Sequence, residues 1–152
     1  MTATQAPAIR FGELLGTARR YAAATFDQLL KDAETPFEEW IAMTLLTRMG
    51  GVSPKTDLAS DIADRIDSDV NAITDILNQM IGKNLLREID ADGATLVELT
   101  AEGTELYRAL GAQVDEIGAF ELSTSTPEDI EAARRVLSQF IEQAKVLAAR
   151  QQ

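Results

Sequence analysis

Asp57, Asp61 and Asp64 recur at i, i+4 and i+7, a spacing that gathers three carboxylates on one helix face. Such a face could hold a divalent cation or supply a paired acid and base. The plainer account is a solvated helix surface, favoured because the sequence supplies no nucleophile, phosphate cradle or second ligand set to go with it. Glu88, Asp90, Asp92 and Gly93 match positions 1, 3, 5 and 6 of a calcium-binding EF-hand loop, but the twelfth position, which must be a bidentate Glu, is Leu99. The chain has no Cys and no His, which excludes disulfides, thiol nucleophiles, imidazole catalysis and the common zinc ligand sets. Neither an enzyme nor a cofactor or metal site is expected.

A different chemistry is offered by Asn71, Thr74, Asp75, Asn78 and Gln79. They lie off the apolar stripe of one short helix and would face a DNA major groove if that helix entered one. Asn and Gln can read adenine edges, whereas Asp75 could only accept from cytosine and would repel phosphate.

The elements that must carry these residues follow from the pattern of the chain. At 152 residues it has the size of one domain and can bury a core without a disulfide or metal staple. Hydrophobic residues at 45% and charged ones at 26% are ordinary globular proportions. The N-terminus shows no basic cluster followed by an apolar run, and no later run approaches the roughly 20 apolar residues that cross a bilayer, so a cytoplasmic location with no membrane partner is expected.

Residues 1 to 8 read as a flexible tail. Ile9, Leu14, Leu15, Ala18, Ala22, Phe26, Leu29 and Leu30 then recur at helical spacing up to about Lys31. A second helix is predicted from Thr35 as N-cap, Pro36 in the first turn and Glu38 closing a capping box, with Gly50-Gly51 as its stop. Ser53-Pro54 begins a third, with Leu58, Ala59, Ile62 and Ile66 on one side. Asp67 or Ser68 caps a fourth, carrying Val70, Ile73, Leu77, Met80 and Ile81. Leu86 to Ile89 and Thr95 to Leu99 are strand-like and flank Asp92-Gly93, a strong hairpin signal. Thr100 caps a helix through Leu106, Leu110 and Val114, and Ser125 or Thr126 before Pro127 starts a last one that runs almost to Gln152. Two short helices joined tightly and followed by a hairpin make a winged helix-turn-helix, in a mainly α fold with a small β-hairpin wing.

LVELTAEGTELYRAL, from Leu96 to Leu110, resembles the wing exit of the MarR-type winged-helix transcription regulators, in which a strand ending in Leu-Thr-x-x-Gly enters the next helix. Leu99, Thr100 and Gly103 occupy those places, and Asn84 to Glu88 is similar to the family's Gly-Leu-Val-x-Arg lead-in. Helix order extends the resemblance over roughly residues 9 to 150. It implies one domain over 9–152, with 9–34 and 104–152 as dimerisation helices around a winged lobe at 35–103, and a homodimer that sets two recognition helices about one DNA turn apart. It also allows a small-molecule effector in a cavity lined by Tyr21, Phe26, Phe37 and Trp40, although aromatics at helical spacing more often fill cores. Several positions depart from the family pattern. Asp75 and Gln79 stand where members often have Arg, the wing is short, and its tip is Ala91-Asp92-Gly93-Ala94 in place of an Asp-Arg-Arg-like sequence. In the third helix, either Leu58-Ala59 or Ile62-Ala63 can match the family's Leu-Ala step.

Charge argues against an easy approach to DNA. The net charge is -11, and residues 54–103 hold only Lys55, Arg65, Lys83 and Arg87 against eleven carboxylates. Phosphate neutralisation supplies most non-specific affinity, and this lobe's field reaches roughly 10 Å. The function favoured by the sequence is a homodimeric regulator binding DNA through the fourth helix. Asn71, Thr74, Asn78 and Gln79 are its candidate base contacts. Lys55, Lys83 and Arg87 are its candidate phosphate contacts, with Thr56, Arg65 and Ser68 completing the DNA-binding set. The rival is a winged-helix interaction module, or a DNA mimic, whose acidic face docks a basic protein partner.

Overall fold

The computed structural model describes residues 8–150, with side chains from Phe11 onward. The elements are α1 (Ala8–Asp32), α2 (Phe37–Arg48), β1 (Val52–Pro54), α3 (Lys55–Ile66), α4 (Val70–Gly82), β2 (Leu86–Ala91), β3 (Ala94–Leu99), α5 (Ala101–Glu121) and α6 (Pro127–Ala149). They fall into two compact units, one ending at Gln113 and one from Val114 onward.

In the first unit the core is built from the end of α1 (Leu30), four residues of α2, four of α3, three of α4, Leu86 and Val97 of the sheet, and Leu110 of α5. Most of the expected stripes are buried, Leu58, Ala59 and Ile62 on α3 and Ile73, Leu77 and Met80 on α4; Ile66 and Ile81 are half-buried, and Ala63 joins the core beside them. Both candidate Leu-Ala-like steps of α3 are therefore core. Val70, placed on the α4 stripe by its spacing, is exposed. It is the first residue of the helix, before the turn that packs.

Two helix starts differ from the sequence expectations, and a third carries an unforeseen strand. Thr35 does not cap α2; its hydroxyl donates to the Ala33 carbonyl and its N–H to Leu30, so it closes the turn that ends α1, and the capping box with Glu38 does not form. Pro36 is the N-cap instead. Neither Asp67 nor Ser68 caps α4. Asp67 ends α3 in the left-handed conformation, tolerable for Asp, while Asp69 caps α4 by accepting from the Asn71 and Ala72 N–H groups. Ser53-Pro54 does lead into α3, with Pro54 as its N-cap, but both residues also pair antiparallel with β3, giving a sheet of order β1-β3-β2. Pro54 lacks an N–H and sits on an edge strand, where a ladder tolerates it.

The remaining signals act where the sequence puts them. Asp92 and Gly93 both take positive φ, as a two-residue hairpin turn of the matching twist requires, and this turn sets Leu86 opposite Leu99 and Arg87 opposite Glu98. Thr100 is a clasp as well as a cap. Its hydroxyl lies 2.6 Å from the Asn84 carbonyl oxygen and accepts from the Gly103 N–H at 3.0 Å, and its own N–H donates to Leu85. Gly103 has to be glycine, because an added Cβ would overlap the Leu85 carbonyl oxygen and crowd Leu99 Cδ2 at 3.1 Å.

The second unit holds the end of α5 and α6. Of the two candidates Ser125 and Thr126, Thr126 caps α6, and it forms an unforeseen capping box with Asp129. No residue of α6 is buried, and Phe120 of α5 is 81% exposed.

Candidate nucleic-acid interface

α4 is a 13-residue helix whose buried stripe fixes what its other side shows. Ile73, Leu77 and Met80 face the core, and Asn71, Asp75, Asn78 and Gln79 are exposed. Thr74 is half-buried and its hydroxyl is committed as a donor to the Val70 carbonyl, so it can only accept from a ligand. The N-terminus of α4 is occupied by its own Asp69 carboxylate, which takes the positive end of the helix dipole. α3 and α4 are joined through Asp67, Ser68 and Asp69, all exposed, and the β2-β3 hairpin follows α4 after a turn at Lys83 and Asn84.

Of the four cations in residues 54–103, three are tied to carboxylates of the winged lobe. Lys55 pairs with Glu88 of β2 and also donates to Asn78 Oδ1 at 2.6 Å; its side chain is only 16% exposed. Lys83, at the C-terminal end of α4, places Nζ 2.5 Å from Oε1 of Glu39, whose side chain is 2% exposed. Arg87 pairs across the hairpin with Glu98 while remaining largely exposed. Among the described residues Arg65 alone of the four has no ion-pair partner. Thr56 and Ser68 are exposed, Thr56 directing its hydroxyl to Asp57 and Ser68 bonding through its backbone to Ala63.

Lys55 and Glu88 stand in the wall of an open groove of about 500 Å³, shared with Pro54, Thr56, Thr74 and Thr95. The groove runs where the start of α3, the middle of α4 and the wing meet. The candidate DNA-binding residues Lys55, Thr56 and Thr74 are thus brought to one place, with Asn78 joined to them through Lys55, whereas Asn71 and Gln79 do not line the groove. Arg65, Ser68, Lys83 and Arg87 do not line this groove. The partners Glu39, Glu88 and Glu98 were not singled out from sequence as holding these cations. Glu98 is legible from the hairpin register; the other two are distant in the chain and carry no local signal.

The aromatic candidates divide. Phe26 packs edge-on against Phe37 and Trp40, with centroids 6.1 and 5.7 Å away, and Trp40 lies 5.1 Å from Tyr107, a fourth ring the sequence did not flag. Tyr21 stands apart, exposed, with the Arg20 guanidinium over its face. The carboxylates Asp57, Asp61 and Asp64 are exposed on α3, and among the described residues no group of three potential ligands is placed to hold a metal ion. Among the same residues no helix is long and apolar enough to cross a membrane.

No family model matches the sequence, and no curated protein matches it. Solved structures do. A MarR family protein from Bacillus stearothermophilus is similar with a TM-score of 0.70 and 17% identity, over 92% of this chain and 99% of that one. NadR in complex with 4-hydroxyphenylacetate is similar with a TM-score of 0.66 and 22% identity, over 92% and 96%. A mutant of Staphylococcus aureus MepR bound to an oligodeoxyribonucleotide has a TM-score of 0.60 and 18% identity, over 88% and 97%. The fold of the chain is the MarR-type winged helix-turn-helix.

Proposed function

We propose that this chain is a homodimeric transcription regulator that binds DNA through α4. The observation that carries the proposal is the exposed row Asn71, Asp75, Asn78 and Gln79 on a helix whose opposite side is wholly committed to the core, beside a wing, in a fold that holds an oligodeoxyribonucleotide in the MepR mutant. Asn71, Asn78 and Gln79 meet base edges, and Thr74 accepts from an exocyclic amine. Lys55, Thr56, Arg65, Ser68, Lys83 and Arg87 lie along the phosphates, and such contacts set register rather than sequence preference. The carboxylates crowding these cations lower the affinity and leave little for the wing tip, Ala91 to Ala94, to contribute.

Dimerisation is supported by large apolar side chains left exposed: Leu14 on α1, Phe120 on α5, and Val136, Ile141 and Leu147 on α6. Apolar surface of this extent on regular helices favours a second copy. A small-molecule effector is proposed at the aromatic cluster of Phe26, Phe37 and Trp40, with Tyr21 at its margin, since NadR is seen with 4-hydroxyphenylacetate. Trp40 is the only tryptophan, so its fluorescence reports such binding directly. Action on DNA places the protein in the cytoplasm.

The test is fluorescence anisotropy with pooled fragments of the source genome at low salt and across a salt series. Binding that weakens steeply with salt is expected. A folded dimer that binds no fragment even at low salt would overturn the proposal and turn the acidic lobe into a surface for a basic protein.

A further inference from the structure

The Lys55 ammonium is held by two oxygens from elements far apart in sequence, Oε1 of Glu88 on the wing and Oδ1 of Asn78 on α4. An ammonium has donors only, so the atom of Asn78 that faces it must be the carbonyl oxygen and not the amide nitrogen. The Asn78 side chain, itself exposed, therefore turns its NH₂ group away from Lys55. Asparagine reads adenine by using both ends of its amide at once, accepting from N6 and donating to N7. Here one of the two lone pairs on the accepting oxygen is taken by Lys55, and the amide is held in one orientation.

Glu88 is the second half of the device. Its carboxylate sits on the cation that a DNA phosphate at the groove would need, and it is 44% exposed against 16% for the lysine, so it can swing out without disturbing the core. We infer that Glu88 is a built-in competitor for DNA phosphate at Lys55, and that the Lys55–Asn78 hydrogen bond fixes the Asn78 amide with its NH₂ group outward, biasing it toward acceptors such as guanine O6 and N7 or thymine O4 over the two-ended contact to adenine. The inference rests on α4 reading DNA as proposed above. It makes Glu88 a determinant of affinity and Lys55 a positioning residue for base preference.

The test compares wild type with Glu88→Gln on one set of genomic duplexes. Glu13→Gln on α1 serves as a control that changes the net charge equally. Removal of the competitor is expected to tighten binding about tenfold near 0.1 M salt and to steepen the salt dependence by about 1.8, the signature of one more neutralised phosphate for each protomer of the dimer. Glu13→Gln is expected to leave the slope unchanged. Wild-type binding with no gain in Glu88→Gln, or an equal gain in Glu13→Gln, overturns the inference while leaving the proposed function standing. Binding by none of the three proteins removes both.

The Asn78 half has its own readout, selection of bound sequences from a random pool by wild type and by Lys55→Met. The variant is expected to gain adenine at one position where the wild type takes guanine or thymine. Identical preferences would overturn the Asn78 half of the inference. In the absence of DNA, the Asn78 side-chain amide resonances are expected to shift in Lys55→Met; resonances that stay in place would show that the hydrogen bond is not kept in solution.

Discussion

α4 and α6 carry the same kind of signal, apolar residues returning at helical spacing along one side. In α4 the stripe is sealed, with Ile73, Leu77 and Met80 buried; in α6, nearly twice as long, no side chain is buried. Periodicity states that a face wants cover. It does not state whether cover comes from the same chain. The difference between the two helices lies in what surrounds them: α4 is packed by α2, α3 and the sheet, whereas α6 belongs to a unit made only of itself and the end of α5.

The sharpest way to break this comparison is to put one charge on each stripe. Ile73→Glu places a carboxylate in the lobe core and is expected to cost more than about 4 kcal/mol, abolishing cooperative unfolding of the lobe. Ile141→Glu is expected to leave the lobe's unfolding transition in place and to weaken self-association by about 100-fold, read by sedimentation velocity. Loss of folding in both would show that α6 is covered from within its own chain.

Gly103→Ala probes the root of the wing on the sealed side. The overlap with the Leu85 carbonyl is expected to cost about 3 kcal/mol, lowering the melting temperature by roughly 10 °C with dimerisation unaffected. Lys83→Met comes next. It leaves the Glu39 carboxylate buried without its partner, at a cost of about 2 kcal/mol, and Glu39→Met/Lys83→Met is expected to recover part of that in a double-mutant cycle. Full additivity would mean that the pair contributes nothing. The smallest effect concerns Glu105, whose carboxyl the Arg108 guanidinium holds below its ordinary value of 4.5 by hydrogen bonding and charge. Its folded pKa is depressed, so its contribution is present above 4.5 and lost as the pH falls through the lowered value. In Arg108→Gln stability at pH 7 is expected to fall slightly, and the difference from wild type to vanish as the pH drops through the lowered value, flattening the profile below pH 4.5.

What could be read in advance divides along the line between local and distant contacts. The Asp92-Gly93 turn has two residues, and that alone dictates Arg87 opposite Glu98. Thr100 and Thr126 are caps decided within four residues of themselves. β1 escaped notice because three residues after a Gly-Gly pair carry no alternation to detect; the strand exists because β3 is there to receive it. Thr35 and Asp69 show the limit of capping rules where several candidates stand together, since the choice is made by which backbone groups the preceding turn leaves unsatisfied. In the candidate interface, the exposed face of α4 was legible from its stripe. The pairing of Lys55 with Glu88 and of Lys83 with Glu39 was not, because those contacts depend on how α3, α4, α2 and the wing assemble.

The clasp at Thr100 and Gly103 has a mechanical consequence. The first turn of α5 grips Asn84 and Leu85 through a hydroxyl and an N–H, and the missing side chain at Gly103 leaves no slack between the helix and the Leu85 carbonyl. The hinge that a wing would need at its base is thereby filled. Any force that tilts the start of α5 is transmitted to the strand leaving α4 as rigid displacement, so α5 acts as a handle on the wing.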